Sequence, residues 1–280
     1  MAAEFGGKYK VREKGLFVPH AHEPHRLSRS KLELFLECPR CLYLEQRYGV
    51  TRPETPSFTL NNAIDELLKR EFDVRRAKGE RHPLCKEYNI DAIPFAHEKL
   101  EEWRDALRRG IAYHHTPTNL LVRGGIDDVW QGKKGELYIV DYKATSKRKE
   151  IELYASYGRQ AEIYQWLFRR NGFEVSDIAY FVYANGKSDA PSFDGKLEFE
   201  VQIIPHKGDD SWVEPLLYTI KETLIAPEPP PPGARCDYCP YREAAGKALR
   251  ASERKPVKPP AIKRKVTKKQ SHEITSDKLF

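Results

Sequence analysis

Four of the five cysteines fall in two C-x-x-C pairs, Cys38/Cys41 and Cys236/Cys239, separated by nearly two hundred residues. Two intervening residues let both thiolates of a pair reach one metal, and a second pair completes a tetrahedral shell. A chain that uses its cysteines in this way must bring its two ends together across everything between them. Each pair also sits in a proline-marked turn, Cys38-Pro39 and Cys239-Pro240. Buried free thiols are the alternative, and two matched pairs speak against it. Cys85 has no partner at ligand spacing and reads as structural. Thiols set out for a metal rather than for disulfides suit a reducing compartment, so a cytoplasmic protein is expected. The N-terminal MAAEFGGKYKVREKG lacks the apolar stretch of a secretory signal. No run of eighteen apolar residues exists, so no membrane partner is expected.

The net charge of +7 is a property of one end of the chain. Residues 250–280 carry ten Lys and Arg against three acids, and residues 1–249 are balanced at 38 of each sign. The tail reads as a disordered basic segment that could hold nucleic-acid phosphates without reading sequence, or serve only solubility. The body has to be judged by where its charges lie.

Three regions follow: an N-terminal extension over 1–27, a main domain over 28–249, and the tail over 250–280. Ser30 and Glu33 form a capping-box pattern ahead of Leu32, Phe35 and Leu36, which predicts a helix start. Pro39 should break or restart that helix and leave the first cysteine pair on a turn. Helical spacing of Leu60, Ile64, Leu67, Leu68 and Phe72 predicts a helix over about 59–78, and a third helix is read from about 94 to 114. His114-His115 would then close that helix, where imidazolium suits the dipole. Residues 119–130 and 136–143 read as two strands around the turn QGKKG. Beyond them come a helix over 150–171, strands over 176–185 and 196–204, and a helix over about 210–226. A stiff spacer with five prolines in 227–232 leads into the second cysteine pair.

The hairpin carries the chemistry. Side chains alternate along a strand, so Asp141 and Lys143 share one face and Val140 and Tyr142 the other. A turn near 133–135 pairs residues whose numbers sum to about 268, which sets Asp127 opposite Asp141. Directly opposed residues hold their Cβ atoms about 4.5–5.5 Å apart, and like charges there repel. A divalent cation resolves the conflict, because hard oxygen ligands from two acids hold magnesium and leave room for water and phosphate. Lys143 can then stabilise charge building on a phosphate. An exposed hairpin face with an ordinary Asp–Lys pair is the plainer alternative. Asp128 is a fallback acid, but it points to the face opposite Asp127.

Gly125-Ile126-Asp127, a short hairpin, Asp141-Tyr142-Lys143 and a following helix with Gln160 and Tyr164 resemble the PD-(D/E)XK nuclease superfamily. Within it the likeness is to the RecB-like branch, which includes CRISPR-associated RecB-like exonucleases. The resemblance implies an α/β fold of restriction-endonuclease type, a central mixed sheet flanked by helices, with a cysteine-bound metal joining the two ends. It makes Asp127 and Asp141 ligands for Mg2+ or Mn2+ and Lys143 the catalytic lysine. Gln160 and Tyr164, at i and i+4 on one helix face, would contact substrate or orient the site. Many members carry a His or Glu on an upstream helix. Asp65 stands in that place as a third ligand, although its type and the missing glycine depart from the pattern, and a solvated helix acid is an equal reading.

The resemblance also bears on the cysteines. Relatives often hold a 4Fe–4S cluster with one N-terminal and three C-terminal cysteines, whereas this chain has two and two. Pair spacing alone fits zinc, and the family likeness favours the cluster; either group would be structural. The function implied is hydrolysis of DNA phosphodiesters, exonuclease-like, with RNA not excluded and with protein partners of a repair or defence complex in view. A non-catalytic nucleic-acid-binding or assembly subunit on the same fold is the alternative. His20, His22 and His25 lack an apolar shell and read as solvated. Gly124-Gly125 is not followed by Gly-Lys-Ser/Thr, so no phosphate loop and no fused helicase is expected.

Overall fold

A computed structural model describes residues 9–53, 59–147 and 151–254. The chain divides into two compact units, 1–239 and 240–280. The first contains β1 (His25–Ser28), α1 (Arg29–Glu37), α2 (Pro39–Tyr48), α3 (Thr59–Lys78), α4 (Pro83–Glu87), β2 (Ala92–Pro94), α5 (Leu100–Arg104) and β3 (Ile111–His115). It continues through β4 (Leu120–Gly124), β5 (Asp128–Gly132), β6 (Leu137–Thr145), α6 (Ala155–Arg170), β7 (Ile178–Gly186), β8 (Phe199–Lys207) and α7 (Val213–Ile225). A last helix, α8 (Tyr238–Arg254), starts at its end and forms the described part of the second unit. Most of the basic tail, from residue 255 on, lies outside the described residues.

The fold is mixed α/β, as expected, but its strands form two mixed sheets rather than one. The smaller has the order β1-β4-β3, with β1 parallel and β3 antiparallel to β4. The larger runs β2-β5-β6-β7-β8, antiparallel throughout except for β6 with β7. Parallel neighbours cannot be joined by a tight turn, and α6 lies in the crossover between these two. Alternation along β6 then divides the molecule. Leu137 and Ile139 join Phe181, Ala161, Leu167 and Phe168 in the core on one face. Val140 and Tyr142 join Phe72, Trp130, Val182 and Cys85 in a second core on the other. Cys85 is fully buried there, and burial pushes its thiol up to about 12.

Four expectations need correction. Ser30 and Glu33 form no capping box: Ser28 caps α1 without a side-chain bond, Ser30 Oγ meets Ser28 Oγ at 2.8 Å, and Glu33 is taken by Arg159, whose Nε lies 3.0 Å from Oε2. No helix runs from 94 to 114. The apolar spacing of Leu100 and Trp103 supports only the single turn of α5, and the chain reverses at Gly110, whose φ of +76° no helix admits. His114 and His115 therefore lie in β3, bonded to Asn119 and to Thr118 and Glu214. The strand read over 119–130 is two strands in two sheets, interrupted at 125–127 where Arg104 Nε donates to the Asp127 carbonyl at 3.1 Å. Pro39 does restart the first helix, as the first residue of α2, with Cys38 extended at the junction and Cys41 already inside the helix. Of the three N-terminal histidines read as solvated, His20 and His22 are exposed, but His25 is partly buried in β1 and bonds Gln46 Oε1 at 2.9 Å.

Candidate active site and cysteine centre

β5 and β6 pair with Asp128 opposite Val140 and Val129 opposite Ile139, so the residue before β5, Asp127, falls across from Asp141. The register is the one the turn arithmetic requires. Asp127 leaves the ladder but stays tied to it, accepting the Tyr142 backbone N–H on Oδ2 at 2.8 Å. Asp141 is buried, at 2% exposure. Its Oδ1 accepts from Gln160 Nε2 at 2.6 Å, and its Oδ2 is in contact with the Lys143 ammonium. Burial first, and then the negative charge of Asp127, push the Asp141 carboxyl up to about 7, against the pull of Lys143.

Asp65 belongs to the same field. It lies in α3, half-buried, and its carboxyl is raised by burial and then by Asp127. Lys69, one turn further along α3, contacts both acids, with Nζ 2.6 Å from Asp65 Oδ2 and 3.7 Å from Asp127 Oδ1. Asp65 Oδ1 is buried with no hydrogen-bond partner among the described residues. An orphaned carboxylate oxygen beside two further acids is a donor set suited to a hard divalent cation. The three carboxylates do not yet close on one point: among the described residues only the four cysteines bring three or more ligand-type atoms within 4.8 Å of one another. Lys69 and Lys143 now provide the counter-charge.

Tyr164 lies one turn beyond Gln160 on α6, buried, with the charge of Arg29 at the start of α1 acting on its hydroxyl. Burial raises that hydroxyl to about 12. Its ring passes so close to Gly124 that a Cβ there would meet Cε1 at 2.5 Å, which is why β4 ends on a residue without a side chain. Asp128, the fallback acid, faces the second core instead. It is fully buried and fixed by the Tyr142 hydroxyl and the Val129 N–H, each at 2.8 Å, together with Arg76 and Arg104. Sequence reading missed Arg29 and Lys69. Lys69 is visible only as an i+4 partner of Asp65, a pattern indistinguishable from a surface ion pair, and Arg29 carries no sequence signal at all.

The four paired cysteines converge. Cys38 Sγ lies 3.7 Å from Cys239 Sγ, and Cys41 Sγ lies 3.6 Å from Cys236 Sγ and 3.7 Å from Cys239 Sγ. The Gly233 N–H donates to Cys38 Sγ at 3.2 Å, and Arg52 reaches Cys236 Sγ at 3.8 Å. All four are buried, none in a disulfide, and the set can hold a metal.

A mixed sheet that gathers an acid, a D-x-K strand and a glutamine-bearing helix defines a nuclease-like fold. The model of the PD-(D/E)XK nuclease superfamily matches residues 26–244, most of the chain, and the protein belongs to that superfamily. Among solved structures, that of SSO0001 covers 75% of this chain and 81% of its own at 14% identity, with a TM-score of 0.33. No curated protein is similar enough to count as a match. Among the described residues no helix is long and apolar enough to cross a membrane.

Proposed function

We propose that the protein is a metal-dependent nuclease that hydrolyses DNA phosphodiesters, of RecB-like type and working from strand ends. The observation that carries this reading is the pairing of Asp127 with Asp141 across the hairpin, with Lys143 against Asp141 and the Asp141 carboxyl pushed up to about 7 by burial and then by Asp127. A buried acid repelled by a partly buried one is costly to a fold unless a cation joins them. Asp127 and Asp141 would hold Mg2+ or Mn2+, with Asp65 as a third donor through its orphaned oxygen. An ion there contributes Lewis acidity and charge neutralisation to phosphodiester hydrolysis. Gln160 fixes the rotamer of Asp141 through its 2.6 Å bond. Lys143 beside Asp141 would place its ammonium to stabilise charge growing on the phosphate. Gly124 makes room for the Tyr164 ring and so for the helix that carries Gln160.

For the cysteines the sulfur separations favour a single ion over a cluster. Zinc with Zn–S of ~2.3 Å sets the edges of its sulfur tetrahedron at ~3.8 Å. A 4Fe–4S cubane instead hands each thiolate to a different iron and spreads them further. The reading is therefore structural zinc, in a cytoplasmic protein that keeps these thiols reduced.

Cleavage of single- and double-stranded DNA with Mg2+ or Mn2+ tests the catalytic reading. Asp141→Ala and Lys143→Ala should each lower the rate by about 10²–10⁴-fold. Equal activity in wild type and both variants would mark a contaminant and leave a nucleic-acid-binding subunit. A brown protein absorbing in the thiolate-to-iron region would overturn zinc; a colourless one with a single bound zinc would support it.

A further inference from the structure

A row of two tyrosine rings with a lysine at each end leads from the buried acid to the surface. Lys143 Nζ contacts Asp141 and lies 4.7 Å from the centre of the Tyr157 ring. Tyr157 meets Tyr154 edge-on, with ring centres 5.4 Å apart. Tyr154 is 52% exposed, and Lys147 caps it, with Nζ 4.3 Å from the ring centre and 2.7 Å from the hydroxyl. Beside the row stands Tyr183. Parallel pairing of β6 with β7 sets it next to Lys143 on the same face, and it is 3% exposed, yet its hydroxyl has no partner among the described residues. A buried hydroxyl left unsatisfied costs free energy comparable to a lost hydrogen bond, so it marks a place where an acceptor is missing.

Tyr154 is not there for the fold. An aromatic ring half in water at the N-cap of α6, steadied by an ammonium two residues past the end of β6, adds little to either core. Its features match a site for single-stranded nucleic acid: a ring face for a base, a cation for the backbone, and continuity with the reacting centre. The buried phenol supplies the donor that a phosphate oxygen would use.

We propose that Tyr154 and Lys147 form a stacking platform for one unpaired nucleotide next to the scissile phosphate, with Tyr183 donating to the adjoining phosphate, so that the protein engages single-stranded ends. The inference rests on the nuclease reading for its choice of ligand and deepens it by naming the form of substrate. A recessed duplex end would present its base to the platform only after fraying. Paired bases keep their faces occupied by their neighbours, so a blunt duplex should gain nothing from Tyr154.

Binding without turnover separates this from the catalytic reading. The full chain is titrated, with Ca2+ in place of Mg2+, against three fluorescent probes: an oligo-dT strand, the same strand with its 3′ or 5′ terminal base replaced by an abasic residue, and a blunt duplex. Tyr154→Ala should weaken oligo-dT binding about tenfold, the order expected for one stacked base. Tyr154→Trp should restore it. For the terminus that enters the site, wild type should bind the abasic strand as weakly as Tyr154→Ala binds oligo-dT, with no further loss when both changes are combined. Duplex binding should be unaltered by Tyr154→Ala. Lys147→Gln should flatten the salt dependence for the strand by about one counterion. The proposal is overturned if Tyr154→Ala binds oligo-dT as wild type does, if duplex and strand lose affinity equally, or if wild type binds no strand. Absence of cleavage together with Tyr154-dependent strand binding would sink the catalytic reading and leave this one standing.

Discussion

The four cysteines that can hold a metal and the acids proposed to hold one are arranged in opposite ways. At the cysteine centre four thiols converge within 4.8 Å of one another, and part-buried N–H and guanidinium donors point at the sulfurs. At the acidic centre the carboxylates are neighbours by register, but lysines stand against them and one oxygen has no partner. The difference follows from chemistry. Burial holds the Cys41 and Cys239 thiols in their protonated, neutral form, so they can be packed beside the other cysteines at little cost. Carboxylates are ionised already, and bringing three together without a cation costs Coulomb energy that the fold escapes by interposing ammonium groups. The thiols are therefore already gathered, while the acids are held apart by their lysine partners.

The sharpest way to break this comparison is at the sulfurs. Cys236→Ser should abolish the bound metal and cost about 3–5 kcal/mol, lowering Tm by about 10 °C. Metal content and a thermal melt on the same sample check both, and a melt unchanged by the loss of metal would mean that the centre does not staple the ends. Next in size is Gly124→Ala, whose methyl would strike the Tyr164 ring and cost about 1–3 kcal/mol by overpacking. A fall in DNA cleavage beyond that loss of folded protein would connect Tyr164 to the site.

The acidic centre should also declare itself through pH. The Asp141 carboxyl is raised to about 7 in the fold from an ordinary value near 3.8. Between those values the folded state holds a proton that the unfolded chain has released. Stability of the metal-free protein should therefore fall as pH rises from about 4 to about 7 and level off above, and saturating Mg2+ should remove the decline. Asp141→Asn should flatten the same curve. Denaturant midpoints across that range supply the measurement. The smallest effect concerns Lys69. If its ammonium competes with the cation for Asp65 and Asp127, Lys69→Met should tighten Mn2+ binding by roughly three- to tenfold, read from the paramagnetic signal of free Mn2+.

Different parts of this architecture were unequally legible in the chain. The β5–β6 register could be computed from the turn, because hairpin pairing is local and the side-chain period of two leaves no freedom once the turn is placed. The helix expected over 94–114 failed because its apolar spacing is satisfied by one turn, after which Gly110 reverses the chain into β3. The capping pattern at Ser30 failed because a partner 126 residues away, Arg159, bonds Glu33 more strongly than a backbone amide would. Local grammar lost to distant contacts in both places.

By itself the sequence determined the membership of the hairpin, the alternation that sends Asp141 and Val140 to opposite faces, and the pairing of thiols by twos. Those follow from bond geometry and short-range periodicity. Tertiary structure alone decided that the strands split between two sheets, that Lys69 and Arg29 reach the acids and Tyr164, and that Tyr183 stands beside Lys143. Each depends on segments far apart in the chain being packed together, and the close packing of a core is the only force that selects such neighbours.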